Sequence, residues 1–105
     1  MERLSRKMSE TGENPKEPID IYEFLALMAN ETAAIAWQKL GLQPDFVTGK
    51  IAPDLDQAKV AVDVVAYLGS LMEGKLDEDD RRQMHSLVRD LRLNYVQKLK
   101  EGGES

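Results

Sequence analysis

Residue types that carry chemistry are thinly spread in this sequence. There is no cysteine and a single histidine, His85, so composition excludes disulfides, thiolate metal sites and a zinc cluster. Gly69-Ser70-Leu71-Met72-Glu73-Gly74-Lys75-Leu76 has the glycine and lysine spacing of a phosphate-binding loop. Leu76, however, stands where Ser or Thr should meet magnesium, and the stretch ends a helical pattern instead of opening one after a strand. A glycine stop with a lysine near the carboxyl end of a helix accounts for it. Asp77-Glu78-Asp79-Asp80 suggests calcium, but that loop needs glycine at its sixth position and glutamate at its twelfth, where this chain has Arg82 and Val88. Glu31 and Asn30 fall in the apolar middle of a helical pattern, where a buried carboxylate can act as an acid or base. No base, nucleophile or metal ligand accompanies them. Ser70 and Ser86 lie in no nucleophile motif. No catalytic, cofactor-binding or metal-binding residue is assigned, and the chain is expected not to be an enzyme.

One constellation remains. Arg81, His85, Arg89 and Arg92 step four, four and three along one side of a helical pattern, with Arg82 beside them. Such a stripe can meet phosphates or an acidic protein surface, or simply face solvent. These four residues are the candidate anion or partner contact.

The elements that position them are legible from their ends. The first helix runs from Asp20 to Leu40. Asp20 is its cap, Glu23 completes a capping box, Phe24 can staple to Ile19, and Gly41 supplies the left-handed stop after which Leu42 folds back on Trp37. It carries two apolar seams about a quarter-turn apart at ~100° per residue. One is Ile21, Leu25, Met28, Thr32 and Ile35, with Phe24 beside it. The other is Tyr22, Ala26, Ala29, Ala33, Ala36 and Leu40, whose small side chains call for a helix pressed flat against them. Glu23, Asn30 and Gln38 leave a narrow polar strip. Leu42 to Pro53 is a loop that Phe46, Val47 and Ile51 are expected to pin to the core.

The second helix opens at Asp54, with Gln57 closing its box, and runs to about Glu73, with Gly74 as its stop. Ala58, Ala61, Val65, Leu68 and Met72 form its main seam; Val60, Val64 and Leu71 widen it. The third helix is capped by Asp77, carries acids in its first turn, and has Met84, Leu87, Val88, Leu91, Tyr95 and Leu99 as its stripe, with Gly102 and Gly103 ending it. Trp37, Tyr22 and Tyr95 read as core or interface anchors.

Composition bounds the rest. The chain has 105 residues, a single domain's worth, and a net charge of −5 that opposes nonspecific nucleic-acid binding over the whole surface. Residues 1–18 are too polar to order and are expected to be a disordered tail, followed by a domain over 19–101 and a short disordered tail over 102–105. No signal-peptide core and no membrane-length apolar run is seen, so a cytoplasmic location is expected.

The segment from Asp20 to Val96 resembles a small bacterial family of uncharacterised helical proteins, a domain of unknown function. The matching features are an alanine-rich first helix ending in Leu40-Gly41, a loop with Pro44 and Gly49, a lysine-and-glycine turn before an acidic cap at Glu73 to Asp80, and Leu91-Arg92 followed by Tyr95. Val62-Asp63-Val64-Val65 and Lys75 depart from the family's Ile-Asp-x-Leu and Asn. The resemblance implies a helical fold and brings no activity with it.

The expected architecture is all-α: a three-helix bundle with an antiparallel hairpin of helices two and three and helix one packed across it. A homodimer is expected through Tyr22, Ala26, Ala29, Ala33, Ala36 and Leu40, because helix one has more apolar surface than two neighbours cover. The function expected is a non-enzymatic interaction or adaptor module with a protein partner and no membrane. The alternative is an RNA- or ribosome-associated accessory using the helix-three stripe, although nucleic acid is disfavoured by charge.

Overall fold

A computed structural model describes residues 17–104. The segment expected to be disordered, 1–18, lies outside the described residues except for its last two, which are exposed and non-helical. Three helices follow: α1 (Ile21–Lys39), α2 (Leu55–Met72) and α3 (Glu78–Glu104), with a single 3-10 turn, Glu73–Lys75, between α2 and α3. No strand occurs among the described residues.

Each helix starts where a carboxylate can hold its first free amides. Asp20 Oδ1 accepts from Tyr22 N at 2.8 Å, Asp54 Oδ1 from Gln57 N at 3.1 Å, and Asp77 Oδ1 from Asp80 N at 2.8 Å. The end of α1 is a Schellman turn: Gly41 has φ +80°, its N–H donates to the Gln38 carbonyl, and Leu42 N–H donates to the Trp37 carbonyl. The other glycine stops do not form. Gly74 lies inside the 3-10 turn, and α3 continues through Gly102 and Gly103 to Glu104. Only Gly41 and Gly49 take positive φ among the described residues, so the later glycines lack the left-handed turn that would end a helix.

α1 and α2 pack extensively and antiparallel. The Asp54 amide donates to the Lys39 carbonyl, which sets the start of α2 beside the end of α1. Ala33, Ala36 and Leu40 then meet Ala58, Ala61, Val62 and Val65, while Ala26 and Ala29 meet Leu68 and Met72. The alanine series is therefore the core of the single chain: Ala26, Ala29 and Ala36 are 0% exposed. This overturns its assignment to a dimer interface. The inference that it needs a helix pressed flat was right, but α2 supplies that helix, with alanines of its own at the contact.

α3 runs antiparallel to α2. Met84 joins the cluster at the carboxyl end of α2 and Leu91 the cluster nearer its start. Gly69 permits the approach: a Cβ there would stand 3.0 Å from Met84 Cγ and Sδ. Leu87, Val88, Tyr95 and Trp37 are half-buried against the same core, and Leu99 is exposed.

The loop of residues 40–54 is ordered by hydrogen bonds rather than by burial. Asp45 Oδ1 accepts from Val47 N and Thr48 N, both at 2.9 Å, Gly49 N–H donates to the Asp45 carbonyl, and Phe46 N–H donates to Gln38 Oε1. Phe46 and Val47 stand at its tip, 78% and 77% exposed, and Ile51 is exposed too. None of the three pins the loop. Glu23, assigned to the polar strip of α1, is buried.

Two predictions follow from this packing. Ala33→Leu is expected to overpack the α1–α2 contact and lower unfolding free energy by about 1–3 kcal/mol, with the same loss at every protein concentration in a denaturant titration. The amides of Thr48, chiefly, and Val47 hold the Asp45 carboxylate below its ordinary value of 3.8. Because the folded value is the lower one, the loop's stabilisation is fully present above pH 3.8 and is lost as pH falls through the lowered value. Protection of the Val47 and Thr48 amides, taken as exchange rates relative to those of the unfolded chain at the same pH, should therefore fall only in that acid range, and Asp45→Asn should abolish this pH dependence of protection.

Candidate functional site

Two surfaces stand out once the core is assigned. The first is the side of the α1–α2 pair opposite α3. Ile21, Phe24, Met28 and Ile35 on α1 and Val60, Val64, Tyr67 and Leu71 on α2 are each between 37% and 64% exposed. Their spacings of three, four and seven put each series on one helix face. A groove of about 520 Å³ lined by Thr32, Ile35, Val60 and Val64 shows that the two series meet on the same side. The first seam of α1 is thus largely an outer face. Leu25 and Thr32 are half-buried at its inner edge, and the Thr32 hydroxyl donates to the Met28 carbonyl at 2.7 Å.

Tyr22 alone of the expected interface residues is exposed, and it serves a local contact: Lys75 Nζ lies 5.7 Å from its ring centroid, a cation–π contact between the start of α1 and the α2–α3 connection. Glu31 is exposed and Asn30 half-buried. Among the described residues no three His, Cys, Asp or Glu side chains are placed to hold a metal ion, and no helix is long and apolar enough to cross a membrane.

The second surface is the basic stripe of α3, which the fold divides. Arg81 Nη2 donates to the Leu76 carbonyl at 3.0 Å and its Nε to the Glu73 carbonyl at 3.3 Å, so this guanidinium serves carbonyls of the α2–α3 connection. Arg82 pairs with Glu78 at 3.4 Å and Asp79 at 3.8 Å. His85 Nε2 and Glu73 Oε1 are 2.6 Å apart and bridge α3 to the end of α2. Among the described residues Arg89 pairs only with its neighbour Asp90, at 3.8 Å. Arg92 makes no ion pair or hydrogen bond among the described residues. The continuous cationic row expected from spacing is thereby reduced to Arg89 and Arg92, beside a groove between α2 and α3.

Sequence reasoning missed both the outer apolar face as a surface and this groove. The signal for the first was present in Val60, Val64, Tyr67 and Leu71, which step four, three and four. The groove depends on the registry of two helices and had no local signal. The division of the stripe predicts different behaviour for its members. Arg81→Ala is expected to lower stability by about 1 kcal/mol through loss of charged hydrogen bonds to two carbonyls, whereas Arg92→Ala should leave the thermal midpoint unchanged in the same calorimetric scan.

No curated protein and no solved structure matches the sequence. A family model described as a domain of unknown function, DUF1844, matches residues 22–97, from the first turn of α1 deep into α3. The match takes in most of each helix and their shared core, and the chain belongs to the DUF1844 family.

Proposed function

We propose that the protein is a non-enzymatic interaction module that self-associates through the outer face of α1 and α2. The observation that carries this reading is the exposure of Ile21, Phe24, Met28 and Ile35 along one face of α1 and of Val60, Val64, Tyr67 and Leu71 along one face of α2, two series that meet at the groove of Ile35, Val60 and Val64. These eight side chains are on average about half-exposed. At roughly 150–200 Å² for a large side chain, they present about 600–800 Å². That is close to the ~800 Å² per partner of a standard specific interface, and it exceeds what scattered surface residues give a monomer.

A second copy is the occupant that suits this face. Two antiparallel helix pairs laid face to face about a two-fold axis make a four-helix layer, and each copy offers the other the same surface. Lys39 and Asp56 border the groove with opposite charges, so neither sign dominates the rim to repel a copy of itself. The size of the domain supports the same reading, since a core built largely from alanines gains little from burial and self-association adds apolar contact.

Light scattering across a dilution series tests it. The wild-type protein is expected at dimer mass. Met28→Glu with Val64→Glu should shift the midpoint of dissociation at least tenfold toward higher concentration, because each copy would bury unpaired carboxylates. Helicity by circular dichroism should be retained, as both positions are exposed in the monomer. A wild-type protein that stays monomeric throughout, or a double variant as dimeric as wild type, refutes self-association through this face.

A further inference from the structure

The groove between α2 and α3 lies on the side of α2 away from the apolar face and encloses about 490 Å³. Its floor is Ala66, Gly69, Met84 and Val88. Met84 packs directly on Gly69, where a Cβ would stand 3.0 Å from its Cγ and Sδ. Arg89 and Arg92 line the groove from α3. Its end nearest the α2–α3 connection is closed by the His85–Glu73 bridge at 2.6 Å, which occupies the Glu73 carboxylate.

The charge on this wall is not explained by the fold. The chain has 19 acidic residues against 14 Lys and Arg, yet Arg92 has no carboxylate among the described residues and Arg89 has only a long contact to Asp90. Two such guanidiniums beside an apolar trough suit a ligand that brings carboxylates along one edge and apolar side chains along the other. We propose that this groove binds an acidic amphipathic segment of a partner protein, its apolar side on the Ala66–Gly69–Val88 floor and its carboxylates on Arg89 and Arg92.

Nucleic acid suits the groove less well. Two cations neutralise few phosphates, the chain's net charge of −5 opposes a polyanion, and no aromatic ring lines the floor to stack a base. The inference deepens the interaction-module reading by naming a partner class. It uses a different surface, so it survives if self-association fails.

The test is fluorescence anisotropy at low salt with a labelled synthetic helix of about four turns, leucines along one face and glutamates along the other. Saturable binding is expected. It should weaken at least tenfold in Arg89→Glu with Arg92→Glu, and also in Ala66→Trp, which fills the floor. Arg82→Glu should bind as wild type does, because Arg82 is paired at the start of α3 and lies outside the groove. A control helix with lysines for glutamates should not bind. The Met28→Glu, Val64→Glu protein should bind the acidic helix unchanged, which separates this result from the dimer. No saturable binding overturns the proposal, as does equal binding to the Arg89, Arg92 double variant or loss of binding in the Met28, Val64 variant. Tighter binding of an oligouridylate of matched charge also overturns it, in favour of nucleic acid.

Discussion

Ala26, Ala29, Ala33 and Ala36 are buried against α2, and the rest of the fold takes its shape from that contact. Alanine has no side chain beyond Cβ, so the α1 backbone comes close to α2 along this line, and the larger side chains buried in the contact, Val65, Leu68 and Met72, come from α2, with Leu40 at its end. The other large apolar residues of both helices lie on the flanks. One flank is covered by α3, with Leu91 and Met84 buried and Trp37, Leu87, Val88 and Tyr95 half-buried around them. The other flank has no covering element among the described residues, and its isoleucines, valines, Phe24 and Met28 remain exposed.

The same contact limits what the core contributes. The largest fully buried side chains are Leu40, Met72, Leu91 and Val65. Burying a large aliphatic side chain is worth about 1.5–3 kcal/mol, and an alanine methyl far less. A domain whose longest interhelical line is built from alanines therefore gains geometric definition more than free energy. That asymmetry links the tight α1–α2 line to the bare flank: the residues with the most to gain from burial are the ones the monomer leaves in water.

What the sequence made legible was the local part of this. Asp20, Asp54 and Asp77 cap the three helices, and Gly41 ends the first, because each device involves residues a few positions apart. The buried seam of α2 was readable for the same reason. The choice between the two seams of α1 was not, since periodicity defines a face without naming what covers it. The deciding information sat in α2, where Ala58 and Ala61 offer small side chains at the level of Ala33 and Ala36. The loop misleads differently: apolar Phe46 and Val47 suggest side chains that pin it to the core, whereas Asp45 holds their turn by accepting backbone amides, which needs no burial. Gly74, Gly102 and Gly103 show that glycine licenses a left-handed stop without imposing one.

Charge is organised along α3 by the same local rules, and the consequence is not local. Asp77, Glu78, Asp79 and Asp80 crowd its amino end, where the cap and the helix dipole favour negative charge. Arg81 and Arg82 sit close enough to be used there, one on carbonyls of the α2–α3 connection and one on Glu78 and Asp79. Arg89 and Arg92, two and three turns further on, are beyond the reach of that acidic turn. The α2 wall opposite offers Ala66, Gly69 and Ser70 where a carboxylate would have answered them, and the acid that lines the groove, Glu73, is held by His85. A chain of net negative charge thus carries a groove lined by two arginines and one paired carboxylate, because the acids Asp77 to Asp80 stand at the far end of this helix. At an ionic strength where charges are screened within about 10 Å, a ligand in the groove responds chiefly to those two arginines and the apolar floor between the helices, and only weakly to the sign of the whole molecule.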